Sequence, residues 1–256
     1  MNAADGWLAV VGTGPGGSHW LTPETEGILA AATDLVGYGP YVDRVPDHGQ
    51  RRHGSDNRQE MERARMALDL AAEGRRVAVV SGGDPGIFAM AAAIWEAIDT
   101  DGAGRWAGVS VQVAPAVSAM QAVAARAGAP LGNDFCVMSL SDNLKPWSLI
   151  LRRIRLATEA DFALAFYNPV SRARPWQLGE ALDAIRERRG GDTPVVVGTA
   201  VGRPDERVQL LTLAEVAPEH ADMRTLLIVG ASTTRRIDGP DGAPRVYTPR
   251  YYPAEE

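Results

Sequence analysis

Residues 77–88 read VAVVSGGDPGIF, and their order decides the fold class. A short β-branched run, 77–81, ends in paired glycines, Gly82 and Gly83. A turn at Asp84 and Pro85 follows, then a helical pattern that continues to Ile98. Strand, loop and helix in that order are the βα unit of a parallel sheet. Ligands of open α/β sheets collect where strands end, so the glycine loop is also the first place to look for a site.

The same order recurs on both sides. Upstream, WLAVVG (7–12) reads as the first strand, with Thr22 as cap and Pro23 as first position of a helix through about Ala32. DLVGY (34–38) is a second strand. The helix expected over 57–73 carries Met61, Ala64, Leu68 and Ala71 on one face. Downstream, VSVQVA (109–114) and a helix over 118–127 close a first domain, and GAPLGND (128–134) suits a connection. The pattern then restarts. FCVMSL (135–140), FALAFYN (162–168), PVVVGTA (194–200) and TLLIVG (225–230) read as strands, with helices over 146–157 and 175–189. RVQLLT (207–212) follows the turn-rich GRPDE and is expected to pair antiparallel with 194–200. The expected architecture is α/β: two tandem α/β domains, 1–130 and 131–256, with mainly parallel sheets.

The 256 residues are 45% hydrophobic, 23% charged and 6% aromatic, which excludes disordered and fibrous classes. The single cysteine, Cys136, excludes a disulfide framework and a thiolate zinc cluster, and no metal is expected. No apolar stretch approaches the roughly 20 residues of a membrane span. The N-terminus lacks the basic start of a signal peptide, so the cytoplasm is the expected location. A net charge of −6 speaks against a nucleic-acid-coating surface.

Four segments carry candidate chemistry. GTGPGG (12–17) satisfies the G-x-G-x-x-G dinucleotide pattern. In a dinucleotide turn, however, the helix opens inside the motif and an acid ends the second strand. Here Ser18, His19, Trp20 and Leu21 intervene and that acid is missing, so NAD stands as the weaker alternative beside a bare glycine turn. SGGDPGIF (81–88) and APAVSA (114–119) occupy equivalent places after their strands, and three loops at one sheet edge say more than any one. FYNPVSRAR (166–174) brings Asn168 and Ser171 to a strand end, and Arg172 and Arg174 present forks suited to carboxylates. An Asn-Pro turn with solvated arginines is the alternative. A basic cluster, Arg44, Arg51, Arg52, His53 and Arg58, suggests an anionic small molecule, against the alternative of a solvated loop. Arg152, Arg153 and Arg155 are assigned to a helix face without function.

Taken together, VVGTGPGGSHWLTPET, VGYGPYVD and SGGDPGIF resemble the loops of the class III S-adenosylmethionine methyltransferases that act on tetrapyrroles. LGNDFCVMSLSDNLKPW, AFYNPVSRARPWQL and MRTLLIVGASTTR resemble segments of the branch that methylates C-17 of precorrin-3B in cobalamin biosynthesis. The resemblance runs through nearly the whole length. Departures from the family pattern are Ala116 in place of the usual Gly, Ala200 and Ala231 where Asn is common, and Asn133 where His is frequent.

This resemblance implies the tetrapyrrole methylase fold, with S-adenosyl-L-methionine in an inter-domain cleft and S-adenosyl-L-homocysteine as its product. Carried over by position, the cofactor contacts are Pro15, Gly82, Gly83, Asp84, Ile87, Ser118, Ala119, Asn168, Ala200, Val201 and Thr225. Substrate contacts are assigned to Gly14, Arg52, Ser171, Arg172 and Arg174. The implied reaction is methylation of precorrin-3B at C-17 with ring contraction to precorrin-4, by a homodimer whose partner is a small tetrapyrrole, not nucleic acid or membrane. Methyl transfer asks chiefly for alignment and exclusion of water, in keeping with a chain that offers no convincing Ser-His-Asp set. Ring contraction needs proton transfers. Of His19, His48, His53 and His220, His53 is the catalytic candidate because it adjoins the basic cluster. The alternatives are methylation at another carbon of a precorrin or cobalt-precorrin, and a non-catalytic protein that binds S-adenosylmethionine or a corrinoid.

Overall fold

Strand β1 (Trp7–Gly12) is buried at all six positions because it is paired on both sides and covered on both faces. The computed structural model describes residues 6–56 and 59–252. Asn57, the expected start of a helix, and Arg58 of the basic cluster lie outside them. Contacts divide the chain into two units, Met1–Ser118 and Ala119–Glu256. The first contains α1 (Pro23–Ala31), β2 (Asp34–Tyr38), α2 (Gly39–Val42), β3 (Arg51–Ser55), α3 (Glu60–Ala72), β4 (Arg76–Ser81), α4 (Met90–Asp101) and β5 (Ser110–Ala114). Its sheet has the order β3-β2-β4-β1-β5, with every neighbouring pair parallel. Leu8 and Val10 of β1 pack with Ala64, Leu68 and Ile94 of α3 and α4, while Trp7, Ala9 and Val11 pack with Ile28 and Leu29 of α1. That two-sided burial is why the strand sequences are nearly all apolar. The Thr22 hydroxyl caps α1, accepting from the Thr25 amide at 3.1 Å.

The second unit begins with α5 (Ala119–Ala127), twelve residues earlier than the expected boundary after residue 130. The reason is packing: a Cβ on Gly198 would lie 2.3 Å from Val123 Cγ2, so α5 seats its Val123 in a notch of the second sheet. After β6 (Gly128–Ala129) come β7 (Phe135–Ser139), α6 (Trp147–Glu159), β8 (Ala163–Tyr167), α7 (Gln177–Arg186), β9 (Pro194–Thr199), β10 (Arg207–Thr212) and β11 (Thr225–Val229). A short sheet adds β12 (Arg235–Asp238) and β13 (Pro244–Tyr247) to β6. The main sheet has the order β10-β9-β11-β8-β7. Here the expectation of mainly parallel pairing holds only for β7 and β8. Helix α7 carries the chain from β8 to β9 as a crossover should, but β11 inserts between them antiparallel to both. The β9–β10 pair is antiparallel, as expected. No helix among the described residues is long and apolar enough to cross a membrane.

Strand β3, RRHGS, sits in what sequence reads as a connecting loop. It is an edge strand with polar, mostly exposed side chains, so it carries no apolar signature. A buried carboxylate anchors it. Asp34, 1% exposed, accepts hydrogen bonds from His53 Nε2 at 2.8 Å, Arg75 Nη1 at 3.1 Å and Thr33 Oγ1 at 2.8 Å. Burial alone would push the Asp34 carboxyl up; the hydrogen bonds from His53, Thr33 and Arg75 outweigh it and hold the pKa below the ordinary value. A carboxyl held below its unfolded value of about 3.9 contributes stability that is complete above that pH and is lost as the pH falls through the folded value. Asp34→Asn is therefore expected to lower the unfolding free energy by about 1–3 kcal/mol near neutral pH, and to lose less on acidification below about pH 4 than the parent. Urea titrations across that range check this; a variant curve parallel to the parent's at every pH would contradict it.

Candidate functional site

In the first unit, the loops after β1, β4 and β5 meet at the strand ends. Gly14 and Gly83 exchange backbone hydrogen bonds, Gly14 N to Gly83 O at 3.3 Å and Gly83 N to Gly14 O at 2.9 Å. Gly12 must be glycine: a Cβ there would lie 2.4 Å from Gly83 O and 2.6 Å from Ala116 Cβ. Asp84 ties in the third loop, its Oδ1 accepting from Gly86 N at 2.8 Å and its Oδ2 from Ala116 N at 2.9 Å. The carboxylate that sequence assigns to the cofactor thus also shapes the loops. The backbone around it remains half-buried at Pro15, Gly82, Gly83 and Ile87, while Ser118 is 1% exposed. Tyr41 roofs this edge, since a Cβ on Gly82 would lie 2.8 Å from its Cζ.

In the second unit, β8 and β9 are followed directly by Asn168 and Ala200, whose φ angles are +52° and +53°. The left-handed region is uncommon for residues other than glycine; asparagine visits it readily, alanine at a cost. Asn168 Nδ2 donates to Ser139 Oγ at 3.0 Å, joining the ends of β8 and β7. Thr225 opens β11 opposite Thr199, their hydroxyls 2.9 Å apart, and its Oγ1 also donates to Asp222 Oδ1 at 2.8 Å. Asn168, Ala200, Val201 and Thr225 therefore gather at one edge of the second sheet. Ala119 opens α5, and the next amide, Met120 N, donates to the Tyr167 hydroxyl at 3.2 Å. Ser171 and Arg174 close a small turn through paired backbone bonds, and Arg174 Nη1 donates to Asn168 O at 2.9 Å. Arg172 is exposed beside them.

Among the described residues, members of the basic cluster face separate partners. Arg52 donates to the carbonyls of Val42 at 2.5 Å and Val45 at 2.8 Å, closing the end of α2. Arg44 lies over the Tyr41 ring. The His53 ring turns toward Asp34 at the start of β2, whereas the glycine loops lie where strands end. Gly14, assigned to substrate, is buried in its bridge with Gly83. Sequence reading gives no role to Tyr41 and Ser139, although both stand in segments that carry the resemblance, VGYGPYVD and LGNDFCVMSLSDNLKPW. A cavity of about 400 Å³ in the second unit lies at the opposite end of that sheet, lined by Asp161, Arg189, Thr193 and Ser232. Two of its charged groups are held from within the fold: Asp161 accepts from Ser232, and Arg189 donates to the carbonyls of Gly230 and Phe162.

Glycine loops and small residues gathered at strand ends define, as a class, an α/β protein of two units with backbone-lined strand ends. Comparison with known proteins narrows this. A precorrin-3B C(17)-methyltransferase from Sinorhizobium sp is 55% identical over 96% of this chain and 97% of its own length. The cobalamin biosynthesis protein CobIJ of Mycobacterium tuberculosis is 52% identical over 97% of the chain, which spans about half (49%) of that protein's length. The crystal structure of the methyltransferase CobJ superposes with a TM-score of 0.90 at 48% identity, covering 96% of this chain and all of that one. The chain belongs to the tetrapyrrole (corrin/porphyrin) methylase family, whose model matches residues 8–217.

The left-handed alanine yields a direct test. Ala200→Gly removes the Cβ that opposes φ +53° and is expected to raise the unfolding free energy by up to about 1 kcal/mol in urea, the gain being trimmed by glycine's freedom when unfolded. A loss of stability would show that the Ala200 methyl packs more than it strains.

Proposed function

We propose that this chain transfers a methyl group from S-adenosyl-L-methionine to C-17 of precorrin-3B, with ring contraction to precorrin-4, in cobalamin biosynthesis. The observation that carries the reading is the near full-length match to the Sinorhizobium enzyme of that name. Residues of the loops fit such a donor. Although the chain has 26 lysines and arginines, GTGPGG, SGGDPGIF and APAVSA contain none, so a sulfonium cation would meet no basic side chain there. The half-buried backbone at Gly82 offers amide and carbonyl groups without a Cβ in the way, beside Gly83 held in its bridge to Gly14, with Pro15 and Ile87 as apolar neighbours.

When bound, the donor supplies a methyl group already activated by its positive sulfur. The chain's part is to fix that group's direction and to keep water out. In the first unit this falls to Pro15, Gly82, Gly83, Ile87 and Ser118, with Asp84 setting their positions; in the second, to Ala119, Asn168, Ala200, Val201 and Thr225. Alignment of two reactants of this kind is worth about 7–11 kcal/mol of barrier. Arg172, and the guanidinium donors of Arg174 that do not face Asn168, are suited to the carboxylate arms of the macrocycle, and Ser171 sets the turn that presents them. A homodimer in the cytoplasm belongs to the same reading.

The test is incubation with precorrin-3B and methyl-labelled S-adenosyl-L-methionine, with the cobalt-bound substrate in a parallel arm. The expected result is label at C-17 of a ring-contracted product from the cobalt-free substrate. Label at a different carbon, or tight donor binding with no label transferred in either arm, would overturn the proposal.

A further inference from the structure

Phe88 closes the loop that follows β4, and its backbone is the least expected of any residue there. Its φ is +52°, in the left-handed region where a bulky side chain is an outlier. The loop imposes this conformation. Asp84 Oδ1 accepts from Gly86 N at 2.8 Å, Ile87 N donates to Asp84 O at 3.3 Å, and Ala91 N donates to Pro85 O at 3.0 Å. Chain on both sides of Phe88 is thereby closed by hydrogen bonds. At the other left-handed positions of these loops stand glycines, Gly14 at +69° and Gly83 at +66°. Glycine at 88 would take the same backbone without strain, yet a phenylalanine stands there with 52% of its surface exposed. Met90 and Ala91, the start of α4, enter the core beside it. Strain of this sort persists where the surroundings over-determine it, and it gathers at ligand clamps.

We propose that Phe88 is a specificity-determining residue whose ring forms an aromatic face for the tetrapyrrole macrocycle, setting affinity for the macrocycle and not for the methyl donor. This rests on the functional reading above. The donor contacts assigned to the loop are small or half-buried, at Gly82, Gly83 and Ile87, whereas Phe88 shows more than half its surface beyond them. A flat conjugated ring system is the chemistry a phenyl face accommodates in offset or edge-on contact.

The experiment compares the full chain with Phe88→Gly, and with Phe88→Asn as a second variant that also tolerates this backbone. Four quantities are read: Tm, Kd for S-adenosyl-L-homocysteine by calorimetry, kcat and KM with precorrin-3B, and mass in solution by light scattering. Both variants are expected to keep or raise Tm, to hold the S-adenosyl-L-homocysteine Kd within about twofold, and to raise KM about tenfold with kcat within about threefold. Phe88→Tyr, which keeps a ring, should restore KM. A lower Tm with unchanged KM would mean that the ring packs into the fold. A weaker S-adenosyl-L-homocysteine affinity with unchanged KM would assign the ring to the donor, and a changed mass with unchanged KM would assign it to a second copy of the chain. Each of these overturns the proposal. If the parent chain itself fails to turn over precorrin-3B, the functional reading falls; if the parent turns it over and both variants match its KM, only the role of Phe88 falls.

Discussion

The Asp84 carboxylate accepts one backbone amide from its own loop, Gly86, and one from the loop after β5, Ala116. The arrangement of the first unit's strand-end loops follows from that pair of bonds. The bridge between Gly14 and Gly83 brings in the loop after β1, and Gly12 allows the approach because it has no Cβ. Three loops separated by up to a hundred residues in sequence thus form one surface of backbone groups. Charge-assisted hydrogen bonds of this kind are roughly twice as strong as neutral ones, and they act before any ligand arrives. Preorganisation is what a methyl transfer requires of its protein, because the donor brings its own activation and the enzyme contributes alignment.

The second unit solves a related problem by backbone conformation. Asn168 and Ala200 both turn left-handed directly after their strands, and β11 begins between those strand ends with Thr225 bonded to Thr199. The left-handed residue turns the chain out of each strand at once, before the longer connections over 169–176 and 201–206 carry it on. The strain at Ala200 is the cost of having alanine where asparagine or glycine would rest easily.

Much of this was legible in the amino-acid order. The strand–glycine–helix units, the Thr22 cap and the antiparallel pairing of 194–200 with 207–212 all follow from local patterns whose physics is local. What escaped depends on partners distant in sequence. RRHGS is a strand because β2 offers it an edge and Asp34 anchors His53, and neither fact leaves a mark on four polar residues and a glycine. The same limit applies to Arg52 and His53: their charges are visible in the sequence, their partners at Val42, Val45 and Asp34 are not. Helix α5 is plainly amphipathic, but the surface it covers is decided by the notch at Gly198, some seventy residues on. The insertion of β11 between β8 and β9 is likewise invisible to a reading that proceeds unit by unit along the chain.

Asp84 ties the loops after β4 and β5 together, and in the function proposed above that arrangement is the one the donor meets. Titration calorimetry of S-adenosyl-L-homocysteine into Asp84→Ala tests it most directly. Loss of both charge-assisted bonds is expected to weaken binding by about tenfold or more. Affinity equal to that of the parent chain would contradict the account.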